Sequence, residues 1–155
     1  MRRSITALLA VLALLLAVTG PASADSVTVQ GTGDIDKMTA NNADNAVVVK
    51  VFGPGGKDEV RWVNVRIKGT DGVTYTAQAG WYGKDWAKSL SRGDTLVTCG
   101  NLAITYNATG GFWKVFVPRG CLGQLTNRIK VKGELVAVGS ATGGGTTWTR
   151  WIAKG

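Results

Sequence analysis

The sequence predicts an all-β domain, a two-sheet antiparallel β-sandwich, with a closed β-barrel or a jelly roll as the alternative. Three observations carry this. Glycine is abundant at 22 of 155 residues, proline is scarce at 3, and Val and Thr recur throughout, a composition suited to short strands and tight turns. Beyond residue 24 no window holds apolar side chains at i, i+3, i+4 and i+7 for three turns, so no long helix is expected. Period-two alternation recurs instead in short runs separated by turn residues about every 8 to 12 positions, as in sandwiches and barrels.

The chain opens on a segment that reads as a signal peptide and not as part of the fold. Arg2 and Arg3 give a positive start, Ile5 to Val18 is apolar apart from Thr6, and Pro21-Ala22-Ser23-Ala24 closes it with small residues. The apolar run is shorter than the roughly 20 residues a membrane-spanning helix needs, and no stop-transfer run follows. Cleavage after Ala24 is expected, leaving residues 25–155 as a single secreted domain of 131 residues. Arg2-Arg3 lacks the remainder of a twin-arginine motif, so general secretion is the expected route.

Within the domain, Ser26 to Gln30 alternates Val27 and Val29 with polar residues and predicts an edge strand. After the turn Gly31-Thr32-Gly33-Asp34, Ile35 to Asn41 predicts a second strand, and Asn42 to Asn45 forms a polar turn before the apolar central strand Ala46 to Phe52. Gly53 to Asp58 is a loop. Val60 to Lys68 then turns Val63, Val65 and Ile67 to one face and Trp62, Asn64, Arg66 and Lys68 to the other. Asp71-Gly72 joins it to Val73 to Ala79 as a hairpin. Trp86 to Leu90 predicts a short strand, with Trp81 to Asp85 read as a loop. Leu102 to Tyr106 and Phe112 to Val117 flank the turn Asn107-Ala108-Thr109-Gly110-Gly111 as a second hairpin. Arg128 to Val138 sets Ile129 and Val131 against Arg128, Lys130 and Lys132, and Thr146 to Ile152 predicts a last strand.

The chain has no histidine. That excludes Ser-His-Asp and Cys-His triads, an imidazole general base and histidine-ligated zinc. No cofactor and no metal are expected. Lys and Arg total 18 against 10 Asp and Glu; without Arg2 and Arg3 the secreted domain holds 16 against 10, a net charge of +6. Such a balance admits an anionic partner but gives no reason to expect specific nucleic-acid binding. Cys99 and Cys121 meet an oxidising compartment on export and are expected to form one structural disulfide; no C-x-x-C spacing points to a redox pair.

The run Val117-Pro118-Arg119-Gly120-Cys121-Leu122-Gly123, with Gly33-Asp34-Ile35 and Cys99 upstream, resembles the pattern of an uncharacterised family of small secreted actinobacterial β-sandwich proteins. That pattern is an early Gly-Asp-Ile/Val step, a mid-chain hairpin, a first Cys, then Val-Pro-Arg-Ser-Cys-Leu-Gly. The resemblance spans roughly Gly31 to Leu135. It implies an immunoglobulin-like sandwich with a disulfide and no catalytic residue. Gly120 departs from the pattern, which has Ser there.

Two constellations are candidate binding sites. Trp81, Tyr82 and Trp86 crowd three rings into six residues beside Lys84 and Asp85. Exposed, such rings stack on sugars while the charged neighbours bond hydroxyls; buried, they fill the core. Arg66 and Lys68 on one strand, Lys114 and Arg119 on another, and Arg128, Lys130 and Lys132 on a third, with Trp62 and Phe116 interleaved, make one basic face if the strands are adjacent. Such a face attracts an anionic cell-envelope polymer, or stays solvated and guards the sheet from pairing with other chains.

The expected function is that of a non-enzymatic, monomeric, extracellular domain that binds an envelope polymer or another secreted protein. The alternative is a small protein inhibitor of an extracellular hydrolase, which presents one rigid protruding loop. An enzyme would require carboxylates such as Asp71, Asp85 and Asp94 to converge in a pocket.

Overall fold

The computed structural model describes residues 25–123 and 127–155, so the leader expected at residues 1–24 lies outside it. The described strands are β1 (Ser26–Thr32), β2 (Lys37–Asn42), β3 (Ala46–Phe52), β4 (Val60–Gly69), β5 (Thr74–Tyr82), β6 (Asp85–Arg92) and β7 (Thr95–Leu96). They continue as β8 (Ala103–Asn107), β9 (Phe112–Pro118), β10 (Arg128–Ala137), β11 (Gly144–Thr146) and β12 (Ile152–Ala153), with a 3-10 turn at Arg119–Leu122 after β9. No described helix is long and apolar enough to cross a membrane.

Eleven strands follow one antiparallel path, β7-β6-β5-β4-β10-β11-β1-β2-β3-β9-β8, and β12 pairs separately with β10. The path curls into a half-barrel. The all-β class therefore holds, while the separation into two sheets is not shown. The short β11 pairs with β10 at Glu134 and Leu135 and with β1 at Gly31 and Thr32, which joins the halves into one sheet. β1 is for the same reason not an edge strand, having β2 on its other side.

Alternation in the sequence sets which face of this sheet turns inward. Val63, Val65, Ile67, Val115, Val117, Ile129 and Val131 are all fully buried. Arg66, Lys68 and Lys114 are exposed, and Lys130 and Lys132 half-buried. A slip of one residue would have put the charges inside, which fixes the register of β4 against β10. The halves press together where β10 carries Gly133: a Cβ there would lie 2.9 Å from Met38 Sδ of β2.

The second edge of β10 shows why Thr146 to Ile152 is two short strands and not one. β11 and β12 cover only its two ends. Between them the buried Thr146 Oγ1 accepts a hydrogen bond from Gly133 N at 3.0 Å, and Thr149 Oγ1 accepts one from Val131 N at 3.0 Å. Hydroxyls thus satisfy backbone donors that would otherwise be buried without partners. The segment Trp81 to Asp85 is likewise not a loop. β5 runs on to Tyr82, Gly83 makes the turn at φ 67°, and Trp81 pairs with Trp86 across the two strands, an aromatic pair that extends the hairpin.

Cys99 and Cys121 form the expected disulfide and tie the β7–β8 connection to the 3-10 turn. The rest of the Val117 to Gly123 run is equally structural. Arg119 donates to Oδ1 of the buried Asn42, whose Nδ2 in turn donates to Ile152 O at 3.0 Å. Burial lowers the Arg119 pKa, partly opposed by the charge of Asp44. Leu122 is fully buried, and Gly123 takes φ 56°, a backbone that favours glycine. Among the described residues no atom beyond its chain neighbours lies within 4 Å of a Cβ built on Gly120, so a side chain there would meet open space.

Candidate functional site

The cations of β4 and β10 come together as the sequence suggests. Lys68 stands opposite Lys130 and Arg66 opposite Lys132, all on the outer face, with Trp62 on the same face and 39% exposed. Like charges directly across a strand pair repel. One acid intervenes that charge patterning alone did not single out: Glu134, two residues beyond Lys132 and so on the same face, lies 3.4 Å from Arg66 Nη2 and 3.3 Å from Lys132 Nζ. Lys130 Nζ sits 5.0 Å from the centroid of the Trp151 ring. Two of the four cations are thus ion-paired within the chain. Lys114, Phe116 and Arg119 do not join this face: Lys114 and Phe116 lie on the outer side of β9, and Arg119 is turned onto Asn42.

A different site forms where the ends of the sheet path approach each other. Because Ala77 and Ala79 face the core, their cross-strand partners Leu90 and Lys88 project inward from β6, and Trp86 follows on the same side. On the opposing half, Ile104 and Tyr106 of β8 share the inner face with Val115 and Trp113 of β9. Trp86 stacks on Trp113 across the seam, with ring centroids 5.5 Å apart and planes 24° from parallel. Trp81 meets Trp86 edge-on at 5.7 Å, and Tyr106 tilts against Trp113 at 5.4 Å. The outer two rings are positioned by the loop before β4. Trp81 Nε1 donates to Lys57 O at 2.9 Å, and Tyr106 lies where a Cβ on Gly55 would stand, 1.6 Å from its Cζ.

These rings border an open cleft of about 480 Å³ lined by Trp86, Trp113, Tyr106, Ile104, Lys57 and Lys88. Lys88 reaches across the seam, where its ammonium donates to Leu102 O at 2.6 Å. A second cleft of about 290 Å³ lies on its far side, bordered by Leu96, Val97 and Cys99. Among the described residues no acid pairs with Lys57 or Lys88. The larger cleft therefore offers the half-buried rings of Trp86 and Tyr106, seated on the fully buried Trp113, beside cationic donors. Of the sequence candidates it takes in Trp86, with Trp81 flanking; Tyr82, opposite Asp85 and 50% exposed, points to the outer face.

Four of the aromatic and cationic residues of the cleft were not anticipated as site residues. Lys88 follows Trp86 by two and shares its face, a signal legible from the alternation. Trp113 and Tyr106 alternate with core residues and read as core, and Lys57 lies in a loop without periodicity. The carboxylates named for an enzyme are dispersed: Asp85 starts β6, while Asp71 and Asp94 lie in turns toward the opposite end of the β5–β6 hairpin. No protein-family model matches the chain, and no curated protein matches it.

Proposed function

We propose that this chain is a secreted, non-enzymatic binding domain whose seam cleft takes a sugar ring of an envelope glycan. The supporting observation is the cleft itself, where stacked indole and phenol rings stand beside two lysines without acid partners in one concavity of about 480 Å³. The volume suits a small ligand or one unit of a polymer, for which clefts run from about 300 to 1,000 Å³. A pyranose ring lays its C–H face on an aromatic face, while lysine ammonium groups donate to hydroxyl or carboxylate oxygens. The resemblance to the secreted actinobacterial family belongs to the same proposal. Two curled halves enclosing one core support that reading, with β11 joining what a sandwich would keep apart.

The reading is tested by sedimentation with purified cell wall from which anionic chains have been stripped by mild acid. The wild type is expected to pellet with it at both 0.1 M and 1 M salt, since stacking is not screened. Trp86→Ala is expected to stay in the supernatant and Trp86→Phe to pellet in part. Full release of the wild type at 1 M salt, or undiminished pelleting of Trp86→Ala, would overturn it. The inhibitor reading has one observation in its favour, the exposed hairpin tip Tyr82 to Asp85, and is favoured instead if the protein ignores the wall and slows an extracellular hydrolase.

A further inference from the structure

We infer a second binding surface, which borders the cleft at Thr105 but shares none of its rings or lysines: the outer face of β2, β3 and β9 binds a linear polyanion built of phosphodiester-linked polyol units. Register places Thr39, Lys50, Lys114 and Thr105 in one cross-strand row over β2, β3, β9 and β8. Lys37 stands in the adjacent row, opposite Phe52, which is itself opposite Phe112. Neither these two rows nor the third outward row of the same strands contains an Asp or a Glu. Among the described residues no acid pairs with Lys37, Lys50 or Lys114, in contrast to the β4–β10 face with its Glu134.

The pair Lys50 and Lys114 carries the argument. They are direct cross-strand partners, a placement that brings Cβ atoms to about 4.5 to 5.5 Å and that repulsion makes unfavourable. An anion between the two ammonium groups relieves that repulsion. The aromatic residues hold the lysines ready: Lys37 Nζ lies 4.7 Å from the Phe52 centroid and Lys50 Nζ 4.9 Å from that of Phe112, with the two rings 5.2 Å apart. Cations held over ring faces before the ligand arrives lose less freedom on binding. The same contact decides the occupant. With ammonium groups over Phe52 and Phe112, those faces are taken, so bases have no platform to stack on, as single-stranded nucleic acid would require. Phe52, Phe112 and Phe116 are half-buried and offer little protruding apolar surface to a bilayer. A flexible chain of phosphates, each met by a lysine as a point charge, fits what is left.

The experiment titrates the secreted domain against immobilised poly(glycerol phosphate) at 0.05 M salt, with phosphatidylglycerol vesicles and oligothymidylate as parallel arms. Lys50→Gln/Lys114→Gln is expected to weaken binding to the polymer at least tenfold. Lys68→Gln/Lys130→Gln, which removes equal charge from the other half, is expected to change it less than twofold, and Trp86→Ala likewise. Thermal unfolding of the Lys50/Lys114 double variant should be unchanged or raised, which separates lost contact from lost fold. The inference is overturned if the wild type does not bind the polymer, if both lysine doubles weaken binding equally, or if vesicles or oligothymidylate bind more tightly. Because the cleft is tested on stripped wall, either reading can fail while the other stands.

Discussion

Replacing both Cys99 and Cys121 with Ala removes the bridge without leaving a free thiol, and its cost follows from the loop it closes. The two residues are 22 apart in sequence. Loop-closure entropy for that length is about 11 cal/mol/K, or ~3.4 kcal/mol at 25 °C. Both cysteines are half-buried, so little packing goes with them, and nearly all of the effect acts through the unfolded chain. Against a typical domain stability of ~5 to 15 kcal/mol this is a large fraction. Urea unfolding followed by tryptophan fluorescence measures it: with a slope of ~2 kcal/mol/M, the midpoint should fall by about 1.7 M. In the folded variant, retention on stripped cell wall should persist, because the bridge staples the β7–β8 connection beside the cleft and takes no part in the ring stack. A shift below ~1 kcal/mol would refute the entropy argument. It would mean that packing and the Lys88 to Leu102 hydrogen bond already restrain this connection.

Four other substitutions probe other parts of the structure. Glu134→Gln frees Arg66 and Lys132; since both pairs are partly exposed, unfolding free energy should change by less than ~1 kcal/mol, while binding of poly(glycerol phosphate) to the β4–β10 face, measured in the Lys50→Gln/Lys114→Gln background, should rise. Gly120→Ser should leave thermal unfolding unchanged to within ~0.5 kcal/mol, whereas Gly123→Ala, at φ 56° and with its Cβ 3.3 Å from Tyr75 Oη, should cost about 1 kcal/mol or more. Gly55→Ala forces Tyr106 off its seat; we expect ~1 to 3 kcal/mol of destabilisation and reduced retention on stripped wall with Trp86 intact.

Strand interiors were legible in the sequence because one buried face per strand imposes a period of two, as Val63-Val65-Ile67 and Ile129-Val131 show. The pairing of β4 with β10 was legible only as a condition, since nothing local says which strands are neighbours. Glu134 could have been read from the same period, and its neutralising role follows once Arg66 is known to stand beside it. Lys37 and Lys50 were missed for another reason: each is a single cation in its strand, and only the register across β2, β3 and β9 makes them a face. The cleft was half legible. Trp81 and Trp86 stood out by density, but Tyr106 and Trp113 carry the same pattern as core residues, and only the curl of the sheet brings them across the seam. The separation into two sheets is not shown because of β11, a glycine-rich triplet too short to signal a strand, which pairs with both β1 and β10.

Binding of sugar rings at the seam has a direct readout in the six tryptophans. In a ¹⁵N–¹H spectrum of residues 25–155 titrated with soluble, neutral cell-wall glycan fragments at 1 M salt, each indole N–H reports its own position. The signals of Trp81 and Trp86 are expected to shift in a saturable way, with that of the buried Trp113 following through its stack on Trp86, while those of Trp62, Trp148 and Trp151 stay in place. Shifts confined to Trp62 and Trp151, beside the β4–β10 cations, or no shift at any indole, would contradict binding at the seam.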